Sequence, residues 1–161
     1  MLCGMIFAAL LAADNVTTGS TAKITADSTF YNRKEGFACF RGHVSVDDSR
    51  YQMHADSAFV FMDGTNAMKR LVAIGNVAIT NDTKRAYGAK ATYYRNPGFI
   101  VLVGSSNVVA EVRDESPKGT QVLRGRKIKF LTESEQIEVI DAQISTPVNN
   151  VKDGLKDHIG R

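Results

Sequence analysis

The sequence has no tryptophan, three prolines and two cysteines. The cysteine scarcity excludes a disulfide scaffold: Cys3 falls in an apolar leader, so a processed chain keeps Cys39 alone and closes no internal bridge. Cys39 lies in "FACFRG" and reads as a small buried apolar side chain. No histidine and acid stand near it in the pattern that activates a thiol. There is no Gly-Lys-Ser/Thr phosphate loop, so the chain is not itself an ATP-driven motor. No window of eleven or more residues carries a helical apolar stripe. Charge of one sign is also missing. Lys and Arg total 20 against 17 Asp and Glu, a net of +3 at neutral pH. The two signs are interleaved, which argues against nucleic acid as a partner, because such binders cluster their cations. The densest basic stretch, Arg124-Gly-Arg126-Lys127-Ile-Lys129, would divide its charges between two strand faces.

What remains is a β-rich composition. Hydrophobic residues make up 43% and charged residues 23% of 161 positions, with 13 glycines, which suits one folded domain. The first thirteen residues, "MLCGMIFAALLAA", are uncharged and end in small side chains before Asp14. They have the apolar region and cleavage site of a secretory signal peptide, and are too short to span a bilayer as a helix. They lack a basic start, as a leader whose beginning lies further upstream would. The expected organisation is a leader at 1–13, a β-domain at 14–146 and a polar tail at 147–161. The leader implies export to the periplasm.

The chain repeats itself. "ITADSTFY" from Ile24 is echoed by "MHADSAFVF" from Met53, then by "AYGAKATYY" from Ala86 and more weakly by "LRGRKIKF" from Leu123. After each comes a hydrophilic turn and an apolar stretch: "FACFRGHVSV", "RLVAIGNVAI", "FIVLVGSSNVV" and "QIEVIDAQIS". Asp27 to Gly42, Ala89 to Gly104 and Arg126 to Asp141 are each fifteen positions apart, and Asp56 to Gly75 is four longer. The chain is thus about four strand–turn–strand units. Within them the period is two. Ala38, Phe40, Gly42, Val44 and Val46 fall on one face, and Leu71, Ala73, Gly75, Val77 and Ile79 take the matching places. Strict alternation also puts Ala55, Ser57, Phe59 and Phe61 on that face, with Ile100, Leu102, Gly104 and Val108 in the third unit. In the fourth, Ile137 and Val139 alternate against Ile140, Ala142 and Ile144, which predicts a bulge or a doubly buried strand.

The repeats bear on His54 and Asp56, which would otherwise suggest a metal or catalytic pair. His54 holds the place taken by Thr25, Tyr87 and Arg124 in the other units, so no conserved chemistry is required of it. His43 and His54 without an acidic cluster make a poor zinc site. Asp27 and Asp56 are expected to be structural, bonding turn amides or a neighbouring Ser or Lys. No catalytic residue, metal ligand or cofactor is predicted.

The recurring Ala26-Asp27 and Ala55-Asp56, with Gly42-His43-Val44, Gly75-Asn76-Val77 and Gly104-Ser105-Ser106-Asn107-Val108, resemble the OstA-like, LptA-type lipopolysaccharide transport proteins of Gram-negative envelopes. The resemblance spans Ile24 to Ser145; His43 for Asn and Asp141 for Gly are departures. It implies an all-β fold, an open, twisted antiparallel β-jelly roll of about four repeats. It also implies a non-enzymatic bridge protein that shelters lipid A acyl chains in an apolar groove and passes them toward the outer membrane. The groove would be lined by Phe40, Val44, Val46, Phe59, Phe61, Leu71, Ala73, Val77, Ile79, Ile100, Leu102 and Val108. The implied partners are lipopolysaccharide and the jelly-roll proteins of the inner- and outer-membrane complexes, joined through edge strands, with a head-to-tail homo-oligomer also allowed. The alternative is a structural β-module that assembles through its edges without lipid.

Overall fold

In the computed structural model the described residues are 23–47, 51–65, 67–117, 119–131 and 136–145. The leader and the polar tail lie outside them. The described chain has twelve strands and no helix: β1 (Lys23–Thr25), β2 (Ser28–Asn32), β3 (Phe37–Asp47), β4 (Gln52–Met62), β5 (Met68–Asn81), β6 (Lys84–Tyr94), β7 (Phe99–Val103), β8 (Ala110–Ser116), β9 (Gly119–Gly125), β10 (Lys127–Leu131), β11 (Ile137–Ile140) and β12 (Gln143–Ser145). The β-branched and aromatic content of these segments favours extended backbone, and Asx-type turns connect several of them. In the β4–β5 turn, Asp63 Oδ1 accepts from the amides of Thr65 (2.8 Å) and Ala67 (3.1 Å).

All pairings are antiparallel, and the sheet is creased rather than flat. Four long strands, β3 to β6, run through the crease and contribute to two layers. In the first layer β2 starts a row that continues through 37–41 of β3, 57–62 of β4, 68–74 of β5 and 90–94 of β6 to β7, β10 and β11. In the second, β1 starts a row through 44–47, 52–54, 77–81 and 84–88 to β8, β9 and β12. The inward residues of both layers merge into one core that includes Ala38, Phe40, Ala58, Val60 and Leu71 from the first and Val44, Met53, Val77 and Ala110 from the second. This is the open antiparallel roll that the repeats imply.

The crease is written in the repeated phrases. On β3, Gly42 and His43 together face the single residue Asp56, because Arg41 pairs with Ser57 but Val44 pairs with Ala55. On β5, Gly75 and Asn76 face Ala89 in the same way. All four bulge residues have positive φ: 75° and 45° at Gly42 and His43, 82° and 47° at Gly75 and Asn76. Bulges bend a strand and increase its twist, so stacking them in register folds the sheet along one line. Asp141, between β11 and β12, has φ 57° and continues that line. The phase break expected in the fourth unit is this bend.

Candidate functional site: an apolar interior and its open end

The crease is held by side chains from successive repeats. Asp27 Oδ2 meets His43 Nδ1 at 2.7 Å, and the amide of Asp27 donates to the carbonyl of Gly42 at 2.9 Å. One unit on, Asn76 Nδ2 donates to Asp56 Oδ2 at 3.0 Å. In the fourth unit the charges are exchanged, and Arg126 Nε meets Asp141 Oδ2 at 3.1 Å. The regular spacing in the sequence therefore measures the chain length from one side of the crease to its cross-strand partner. Glycine is required where the aspartates approach: a Cβ on Gly42 would collide with Asp27 Oδ2, and one on Gly75 with Asp56 Oδ2. The hydrogen bond and the charge of Asp27 together raise the His43 pKa. These aspartates are structural, as expected, although their side-chain partners are the residues after the bulge glycines rather than turn amides or a neighbouring Ser or Lys.

Within the crease lies the interior. Phe40, Val44, Leu71, Ala73, Val77 and Leu102 are buried core residues, and Val46 and Ile79 pack against them. Ile100 is half-buried and pairs with Tyr93, which also packs on the core. Alanines line much of the space between the layers: Ala38, Ala55, Ala58, Ala73, Ala91 and Ala110 are all buried.

Three expected lining residues are placed elsewhere. Phe59 and Phe61 are not inward. Their neighbours Ala58, Val60 and Met62 fill the core, and the two phenylalanines turn outward to contact Phe37 at centroid distances of 6.0 and 5.4 Å. The reason is the crease: Met53 and Ala55 face in before it, Ala58 and Val60 after it, so the inward phase of β4 inverts at Asp56 and Ser57. Unbroken alternation cannot anticipate that inversion, though the adjoining Gly-His and Gly-Asn phrases could have marked it. Val108 is on no strand; it lies in the loop between β7 and β8 and is 40% exposed. Ala58, Val60, Met62, Ala91 and Ile128 are core residues that alternation overlooked or did not single out.

The interior is closed around β3 to β6 and open at the other end. After β7 the layers diverge, β10 and β11 continuing one and β8, β9 and β12 the other. A cleft of about 560 Å³ lies on the outside of the crease at this end, beside the Arg126–Asp141 pair and lined by Val103, Gly104, Val109 and Arg124 among others. Ile137 and Ile144, the last residues of two inward rows, are 40% and 64% exposed at this end. Each layer also finishes in edge strands: among the described residues, β1 and β2 pair only with β3, β11 only with β10 and β12 only with β9. Such strands offer unpaired backbone donors and acceptors. No cluster of three or more His, Cys, Asp and Glu side chains able to hold a metal is found among the described residues. His54 is exposed and pairs in the ladder with Ser45 and Ala78, away from any acid–base set.

Residues 23–136 match the family described as LptA/(LptD N-terminal domain) LPS transport protein. Among solved structures, the chain is similar to LptH, the LptA-homologous periplasmic component of the lipopolysaccharide transport device from Pseudomonas aeruginosa. The TM-score is 0.67 at 17% identity, over 80% of this chain and 96% of that one. A comparison with curated protein sequences finds no match. The likeness to LptH carries the fold, a non-closed β-jelly roll, and the family match covers most of the described residues. The chain belongs to the LptA/LptD N-terminal-domain family of lipopolysaccharide transport proteins, which are carriers and not enzymes.

Proposed function

We propose that this protein is a periplasmic carrier that receives the acyl chains of lipopolysaccharide between its two layers and passes them toward the outer membrane. One observation carries the reading: the inward residues of both layers form a continuous apolar face that runs from β3 to β10 and ends in the exposed Ile137 and Ile144 at the open end. Burial of each methylene contributes about 0.8 kcal/mol, so a few acyl chains suffice to hold a glycolipid without any catalytic group. In the closed arrangement Ala38, Ala73 and Val44 are at most 1% exposed, so a tail enters from the open end and parts the layers as it advances. The alanines favour this, because small facing side chains lose little packing when the layers separate. The free edge strands supply the means of joining neighbouring jelly rolls by strand addition.

A photo-crosslinking residue at Leu71 or Ile79, inside the roll, should capture lipopolysaccharide in cells, while the same residue at Asp56, on the crease exterior, should not. Adducts confined to Asp56 would overturn the groove. The edges also support a second reading, a lipid-free module that polymerises through β-strand pairing. Native mass spectrometry of gently extracted protein separates the two, since bound lipid A is expected only on the first.

A further inference from the structure

The outer face of the first layer is not the polar surface that a one-sided sheet needs. Antiparallel partners share a face. The ladder therefore sets Arg41, Ser57, Ile74, Lys90, Val103, Lys127 and Ile140 in one outward row across seven strands. The next row holds Phe59, Val72, Thr92, Val101, Lys129 and Glu138. The row beyond runs from Phe37 and Phe61 through Arg70 and Tyr94 to Phe99. Arg70 sits over the Phe61 ring at 4.2 Å and Lys129 over Phe99 at 5.0 Å. Phe30, Ile74 and Ile140 are 60%, 41% and 37% exposed on this side. Against these cations the three rows contain a single acid, Glu138, and among the described residues none of Arg41, Arg70, Lys90, Lys127 and Lys129 forms an ion pair. A hollow of about 210 Å³ lies here beside Lys127, Lys129, Glu138 and Ile140.

We propose that this face docks on an anionic phospholipid bilayer surface. The charge complementarity is direct: cations spaced across many strands, with no ion pair among the described residues, meet a surface of distributed negative charge. Between them, aromatic and aliphatic side chains of intermediate exposure match the headgroup boundary, where rings and long cationic chains settle together. A broad face without a deep pocket suits a laterally fluid partner, which needs no fixed register. A second copy of the same face would set cation against cation. The face lies on the opposite side of the sheet from the acyl-chain interior, so the inference stands apart from the carrier reading.

Vesicle flotation of the full chain tests it, with phosphatidylcholine vesicles against vesicles that also contain phosphatidylglycerol. The expected result is salt-sensitive binding to the anionic vesicles, reduced on the order of a hundred-fold in a Lys90→Glu, Lys127→Glu, Lys129→Glu variant. The Lys→Gln triple variant should lose less, in the same direction, and guards against misfolding of the reversed one, with circular dichroism confirming each fold. Lipopolysaccharide capture at Leu71 should persist in both. The apolar leader would favour both vesicle types alike, so the difference between them isolates the face. Equal binding to the two vesicle types overturns the proposal, as does undiminished anionic binding by the folded variants. Salt-sensitive self-association or capture of an acidic protein, without vesicle binding, overturns it also and reassigns the face.

Discussion

The two layers are built largely from the same four long strands, yet their outer faces differ in chemistry. On the second layer the outward residues include Thr25, Ser45, His54, Thr80 and Gln143, and three of its cations are matched: Arg113 and Arg124 converge on Glu111, and Arg85 meets Glu115 at 3.6 Å. On the first layer the outward cations form no ion pair among the described residues, and aromatic and aliphatic side chains lie between them. Folding asks only that one side of each layer be apolar. The second layer meets that demand; the first adds aromatic and aliphatic side chains among the cations of its outer face. The excess is therefore not explained by the fold, and a surface role is where its explanation lies.

The largest expected effect tests whether inside and outside are correctly assigned on the first layer. Val60 is 3% exposed in the core, and its neighbour Phe59 faces out. Val60→Glu buries an unpaired carboxylate, a cost of several kcal/mol, and should leave the chain largely unfolded by circular dichroism. Phe59→Glu should fold, losing only its ring contact with Phe37. If Phe59→Glu unfolds the chain and Val60→Glu does not, the layer is inside out.

Next in size is the crease that joins the layers. Gly75→Ala forces a side chain into a φ of 82° and against Asp56, and should cost about 1–3 kcal/mol in denaturant unfolding. Gly64→Ala, where nothing lies within 4 Å of the new methyl, is the matched control and should be close to neutral. Adding Asp56→Ala to Gly75→Ala should recover part of the loss, leaving the backbone strain alone.

The crease also accounts for what could and could not be read from the sequence. The repeat length, the strands and the all-β class are local signals, carried by alternation and turn residues, and they hold. The structural role of Asp27 and Asp56 was legible because their repeat partners Ala89 and Arg126 share no chemistry. Face assignment held for β3 and β5, where a two-residue bulge returns the chain to its former phase. It failed in β4, which has no extra residue of its own but passes between two bulged neighbours, so Phe59 and Phe61 exchange sides with Ala58 and Val60. That inversion is a property of three strands together, and no window on one of them contains it. Val108 failed differently: Gly104-Ser-Ser-Asn107 leaves the ladder altogether, and the Ser105 amide donates to the Val108 carbonyl at 2.6 Å to close a turn.

A smaller effect comes from the matched charges of the second layer. Burial raises the Glu111 pKa, but hydrogen bonds from Arg113 and Arg124 and their charges together outweigh it and hold the carboxyl below its ordinary range. A depressed folded value means that the contribution is present above the unfolded pKa and fades as pH falls through the folded one. Glu111→Gln should cost about 1–2 kcal/mol at neutral pH and nothing below that acid window, measured as unfolding midpoints against pH. Lys127→Gln, at a cation with no ion pair among the described residues, should cost little at neutral pH. A loss at Lys127 as large as that at Glu111 would mean that the two outer faces are not different after all.

The smallest effect lies on the crease itself, where His43 and Asn76 occupy equivalent bulges and only one of them titrates. The hydrogen bond from His43 to Asp27, with the carboxylate's charge, favours the protonated ring and raises its pKa. The sign is opposite to that of Glu111: the clasp is fully made below the unfolded histidine value and weakens as pH rises through the folded one. His43 is 92% exposed, so solvent screens the pair and the change in stability is slight. Imidazole chemical shifts of His43 should nonetheless report an elevated pKa that falls toward the free value in Asp27→Asn. His43→Asn makes the first clasp a copy of the second and should remove the pH dependence while keeping the bend, since asparagine tolerates the positive φ that Asn76 already adopts. If the bend is lost with the histidine, the crease depends on charge; if it persists, the bulge geometry is sufficient and the charge only trims it.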